Sequence, residues 1–132
     1  MAIGTSVPID RVQVFEKTIT SPANAGDVTV ATITTQSCQI ESVIIHANTT
    51  QTVNMVSCGV FGGAGKVITF ISATDAIQAN LDAPDKQIGW SGVVKLTANK
   101  TIVISLVGTG ITAVNLTIVI KCRACASGGH LA

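Results

Sequence analysis

Tyrosine is absent from the chain, and Phe15, Phe61, Phe70 and Trp90 are its whole aromatic complement. With so few rings, stacking platforms for nucleobases or sugars are nearly excluded. Charge is equally scarce. Asp, Glu, Lys and Arg make up 11% of the residues, against about 25% in an ordinary soluble domain. The basic residues stand singly at Arg11, Lys17, Lys66, Lys86, Lys95, Lys100, Lys121 and Arg123, and the net charge is +1. Neutralising a phosphate backbone takes clustered Lys and Arg, so nucleic acid is excluded as a partner. Long apolar runs are missing too. Residues 114–120 are interrupted by Asn115 and Thr117, far short of the roughly 20 residues that cross a bilayer. The first residues, MAIGTSVPIDRVQVF, carry neither the early cations nor the apolar stretch of a secretory signal. The chain is expected neither to span a membrane nor to be exported by a visible route.

What is present is a β-pattern of neutral residues. Hydrophobic residues make up 47% and mean hydropathy is +0.55. A length of 132 residues predicts one domain that buries roughly two thirds of the unfolded surface. Over residues 86–97, Ile88, Trp90, Gly92, Val94 and Leu96 alternate with Gln87, Gly89, Ser91, Val93, Lys95 and Thr97. Residues 101–107 and 114–122 alternate likewise, and turns at Asn99-Lys100 and Gly108-Thr109-Gly110 join the three as successive antiparallel strands. Residues 11–20, 27–36, 38–47, 52–60 and 66–72 are β-branched and turn-bounded, the last two flanking Gly62-Gly63-Ala64-Gly65 as a hairpin. The prediction is an all-β, antiparallel β-sandwich or jelly-roll-like fold of about eight strands. One short helix over residues 73–80, in a crossover loop, follows from the capping-box form of Ser72-Ala73-Thr74-Asp75 and the Ile77–Leu81 spacing. Residues 1–10 form an extended arm, 11–125 the domain, and 126–132 a flexible tail.

Chemistry-bearing residues favour bland roles. Cys122-Arg123-Ala124-Cys125 is a CxxC. On an extended strand its first sulfur points into the core and its second away, a poor chelate and no thioredoxin-like motif. Cys38 and Cys58 sit in apolar strands as small hydrophobes. A zinc site from the four cysteines, with His46 or His130 as substitutes, has one pair of metal-like spacing. His46 ends a strand and has no second upstream histidine to work with. The pair Asp82 and Asp85 suits turn chemistry better than cation binding or glycoside hydrolysis. Gly59 to Lys66 has the outline of a phosphate loop, but Val67 replaces the hydroxyl residue and a strand follows. No catalytic, cofactor or metal residue is predicted, and the protein is not expected to be an enzyme.

The runs Lys86-Gln87-Ile88-Gly89-Trp90-Ser91-Gly92, Thr97-Ala98-Asn99-Lys100-Thr101-Ile102 and Gly108-Thr109-Gly110-Ile111-Thr112-Ala113, with Gly128-Gly129 after Cys125, resemble small structural proteins of tailed bacteriophages. The resemblance covers residues 38–132 and is one of style and spacing. It points to capsid decoration, or cement, proteins. It implies a non-enzymatic β-sandwich on the outside of the head lattice, a homo-oligomer of trimer type, and the major capsid protein as partner. It also implies a virion location after assembly in the host cytoplasm, and terminal arms that clasp neighbours. The alternative is a receptor- or glycan-binding head of a phage tail fibre or spike.

The charge deficit locates the contacts. Residues 101–120 hold no ionisable side chain, even at outward strand positions. A core does not require that neutrality, and surface that meets other subunits does. The expected assembly contacts are therefore Val103, Ser105, Val107, Thr117 and Val119, with Ile3, Val7, Pro8 and Ile9 of the arm.

Overall fold

The computed structural model describes residues 12–20, 25–109 and 114–132. Nine strands lie among them: β1 (Val12–Thr20), β2 (Gly26–Thr34), β3 (Cys38–Ala47), β4 (Met55–Gly62), β5 (Ile68–Ile71), β6 (Gln87–Leu96), β7 (Thr101–Gly108), β8 (Asn115–Ala124) and β9 (His130–Leu131). They form a four-stranded sheet in the order β1-β8-β3-β6 and a five-stranded sheet in the order β5-β4-β7-β2-β9. Every pairing is antiparallel. The orders β1-β8-β3-β6 and β5-β4-β7-β2 are two interleaved Greek keys, which is the jelly roll. The all-β sandwich read from the pattern is the fold.

Alternation sets the core. Ile102, Ile104 and Leu106 of β7 and Leu116, Ile118, Ile120 and Cys122 of β8 are buried, and their odd-numbered neighbours face outward. Val43 and Ile45 of β3, Val60 of β4 and Ile33 of β2 complete a core drawn from both sheets. Each such aliphatic side chain contributes about 1.5–3 kcal/mol by leaving water.

The three strands predicted as one antiparallel run are real, but no two of them are neighbours. β6 pairs with β3, β7 with β2 and β4, and β8 with β1 and β3. The Asn99-Lys100 turn, with Asn99 at φ 72°, is an arch that carries the chain from one sheet to the other. By contrast, β4 and β5 do form the predicted hairpin.

The segment expected to be helical keeps its capping box and little more. Ser72 Oγ accepts from the Asp75 backbone N–H at 3.2 Å. Ile77 then leaves the turn to bridge Ser57, and a single 3-10 turn remains at Gln78–Leu81. Leu81 is buried, whereas Ile77 is 37% exposed, so the two do not share one apolar helical face.

The stretch expected as a flexible tail is also corrected: it folds back as β9, with Leu131 buried beside β2. Thr32 and Ala132 exchange backbone hydrogen bonds of 2.8 and 3.0 Å. In an antiparallel ladder the next pair, Ile33 and Leu131, turns its backbone groups the other way. Those of Ile33 meet Lys100 O and Asn99 N, and those of Leu131 meet the Gln13 side chain of β1: its Nε2 donates to Leu131 O at 3.0 Å, and Leu131 N donates to its Oε1 at 2.8 Å. An inward amide on one sheet thus acts as a strand for the other.

The opposite side of the sandwich is closed by rings. Phe70 of β5 and Trp90 of β6 meet edge to face, centroids 4.9 Å apart and planes at 68°. Each ring lies over a glycine of its own sheet. A Cβ on Gly62 would come within 2.6 Å of the Phe70 ring, and one on Gly92 within 2.6 Å of the Trp90 ring.

Candidate functional site

The expected contact residues lie on both outer faces of the sandwich. Val103, Ser105 and Val107 face out from the five-stranded sheet, and Thr117 and Val119 from the four-stranded sheet. They form two surfaces. Ile3, Val7, Pro8 and Ile9 lie outside the described residues.

On the five-stranded face, Phe61 stands opposite Val103 and its ring covers Gly59. Lys66 reaches over that ring, Nζ 5.8 Å from its centroid, and pairs with Asp27 at 3.0 Å. The hydrogen bonds from Lys66 and then Ser105 hold the Asp27 carboxyl below its usual range. This face therefore carries an aromatic spot with its charges paired internally.

The four-stranded face is built differently. Cross-strand register sets Thr18, Thr117, His46 and Gln87 in one row, and Glu16, Val119, Ile44 and Gly89 in the next. These rows surround a depression of about 310 Å³ lined by Glu16, Ile44, His46, Asn48, Gln87, Thr117 and Val119. Its polar wall is preassembled. His46 Nδ1 lies 3.0 Å from Asn48 Oδ1, and its Nε2 lies 3.1 Å from Asp85 Oδ1. Asn48 Nδ2 donates to Asn115 Oδ1 and Thr117 Oγ1, both at 2.9 Å. Beneath this corner the fully buried Gln51 ties the β3–β4 loop to β8, its Nε2 donating to Asn115 O at 3.2 Å. Both ring nitrogens of His46 thus face side-chain oxygens of the chain itself.

At the other end of the same face, a bulge in β3 turns Glu41 and Ser42 outward together. Glu41 then stands between two cations, accepting from Arg123 Nε at 2.5 Å with Lys121 Nζ at 3.7 Å. Burial alone would raise the Glu41 carboxyl. The hydrogen bonds from Arg123 and Gln39 and the charges of Arg123 and Lys121 outweigh it and hold the group below its ordinary value.

The cysteines take the places read from the alternation. Cys122 is buried and Cys125 exposed, with Cys38 and Cys58 buried. Desolvation pushes the Cys58 and Cys122 thiols up to about 12, so neither supplies a thiolate near neutrality. Among the described residues, no group of three or more His, Cys, Asp and Glu side chains is placed to hold a metal ion. Asp82 and Asp85 have different partners: Lys86 for Asp82, at 2.6 Å, and His46 for Asp85.

The depression and its acidic rim were not visible as a motif. Glu16, His46, Gln87 and Thr117 come from four strands and meet only through register. The outward period of each strand was the sole signal.

No protein-family model matches the chain. No curated protein matches it in sequence. Solved structures do share its fold. A chain of the acidic stable capsid structure of Helicobacter pylori bacteriophage KHP30 superposes with a TM-score of 0.61 at 11% identity, over 93% of this chain and 95% of that one. A chain of the cyanophage Pam1 capsid asymmetric unit gives 0.57 at 14% identity, over 94% and 92%. At these identities the likeness is one of fold. In both cases it runs nearly end to end in the two chains, so each neighbour is itself little more than one such sandwich.

Proposed function

We propose that the protein is a capsid decoration, or cement, protein of a tailed bacteriophage. It is a homo-oligomer, of trimer type, that binds the outer capsid lattice and reinforces the head without catalysing a reaction. The observation that carries this reading is the mutual, nearly complete coverage with chains of two phage capsid structures. A shell-associated chain that consists of one small jelly roll has a size and shape suited to seating on a lattice. The surface supports the same reading. Residues 101–120 hold no ionisable group, so the outward residues Val103, Ser105, Val107, Thr117 and Val119 cost little to desolvate against another β-surface. The apolar arm, with Ile3, Val7, Pro8 and Ile9, serves as the clasp. Modest affinity per copy suffices, because contacts repeated across a shell add avidity.

The test is co-sedimentation with heads that lack the protein. Binding in a fixed ratio to the major capsid protein, with heads that withstand heating better, is the expected result. A protein that runs as a monomer and stays in the supernatant overturns the proposal.

A further inference from the structure

The outer face of the four-stranded sheet is divided by charge. At one end Lys95, Lys121 and Arg123 stand with one carboxylate, Glu41, and Lys95 lies opposite Gln39 on the β6 edge. At the other end are Glu16 and Asp85, with Lys86 already held by Asp82. Among the described residues, Glu16 and Lys95 have no ion-pair partner. The two central rows carry one charge each, Lys121 beside the neutral Val14, Ser42 and Ser91, and Glu16 beside the neutral Val119, Ile44 and Gly89. One end thus has an excess of positive charge and the other of negative charge, and the acidic end holds the depression. Among the described residues the five-stranded face offers nothing comparable, since Lys66 and Asp27 neutralise each other there.

The geometry points to a two-fold contact in which this face of one copy packs on the same face of a second copy, with Lys121 of each entering the depression beside Glu16 of the other. A two-fold axis between the faces and across the strands reverses strand direction and lays β8 over β8. Lys121 and Glu16 are two rows or fewer from the middle of the face: Lys121 pairs with Val14, and Glu16 with Val119 one outward position away. Outward neighbours on a strand are about 6.6 Å apart, so the reversal brings the cationic row of one copy onto the acidic rows of the other. The guest also fits chemically. A lysine brings an aliphatic stem for Ile44 and Val119 and an ammonium for Glu16, in a depression lined by no Lys or Arg. The face measures about 20 Å by 30 Å from strand spacing and rise, of the order of the roughly 800 Å² that each partner buries in a specific interface. The contact is isologous, so the Lys121–Glu16 pair forms twice. It does not depend on binding to a capsid.

The experiment is light scattering on the purified protein at low ionic strength, where exposed ion pairs are least screened. The variants are Glu16→Lys and Lys121→Glu, with Val53→Lys, outside both sheets, as control. Each reversal alone is expected to halve the assembly mass, and the control to leave it unchanged. Mixing the two reversed variants is expected to restore the mass, because every pair across the axis is then again of opposite sign. Recovery on mixing also excludes misfolding as the cause of the loss. An unchanged mass in both single variants, or no recovery on mixing, overturns the contact. Failure of head binding in the earlier test leaves this result standing, since only the protein itself is present.

Discussion

At the residue scale, two glycines do work that a sequence pattern hides. Gly62 and Gly92 occupy inward positions on facing sheets, and each leaves the space that an aromatic ring of its own sheet fills. Alternation assigned Gly92 to the apolar face of its strand but gave no reason for a residue without a side chain there. The reason is Trp90, whose ring covers it. Gly62→Ala and Gly92→Ala are therefore expected to destabilise by about 1–3 kcal/mol each through overpacking. Gly62→Ala should cost more, because Phe70 is only 5% exposed and has less room to yield. Urea unfolding midpoints check this, and near-ultraviolet dichroism of Trp90 reports whether its ring has shifted.

At the element scale, strands were legible and their partners were not. β6, β7 and β8 follow from alternation because each has one face in a shared core. The turn at Asn99-Lys100 reads equally well as a hairpin or as an arch between sheets, since its local chemistry is the same in both. Choosing between them takes knowledge of which apolar faces meet. The helical reading failed for a related reason: the Ser72 capping box exists, but β4 captures Ile77 before a second turn can form. β9 left no signal, being two residues long and held by a glutamine 118 positions away. The candidate surface was half legible. Thr117 and Val119 were identified as outward, and the depression they border required the pairing of four strands. Gln13→Ala would leave Leu131 N–H and C=O without their side-chain partners, at a cost of about 1–3 kcal/mol. Hydrogen exchange should then quicken at Leu131, which Gln13 holds directly, and at Ala132 and Thr32, while the amide of Ile104 in the core keeps its protection.

At the scale of the whole molecule, the few charges set an acid limit. Glu41, Asp27 and Asp82 are all held below their ordinary values of 4.5, 3.8 and 3.8. A carboxyl depressed in the folded state binds protons more weakly than in the unfolded chain. Its stabilisation is fully present above the unfolded value and is lost as pH falls through the folded one. The thermal midpoint is expected to be unaffected by these three groups from neutrality to about pH 4.5, and to fall below that as they are protonated. Calorimetry across a pH series checks the curve. Glu41→Gln should flatten its upper part, since the Arg123 and Lys121 interactions then no longer depend on a proton.

The route of the chain between sheets has a consequence for biosynthesis. β1 aligns Val12 with Arg123 and Thr20 with Asn115, so the first strand cannot find its neighbour until the eighth has been made. β3 waits for β6 and β8 in the same way. Folding of this kind closes long loops before they are rewarded, and it is slow. At about 5–20 residues per second on the ribosome, the nascent chain spends seconds with half of a hydrophobic interior and no partner for it. Its sparing use of charge leaves little repulsion to keep such chains apart. A protein made in many copies at once would therefore meet its own kind while still incomplete, and the speed of the final strands, more than the stability of the finished sandwich, would set the yield.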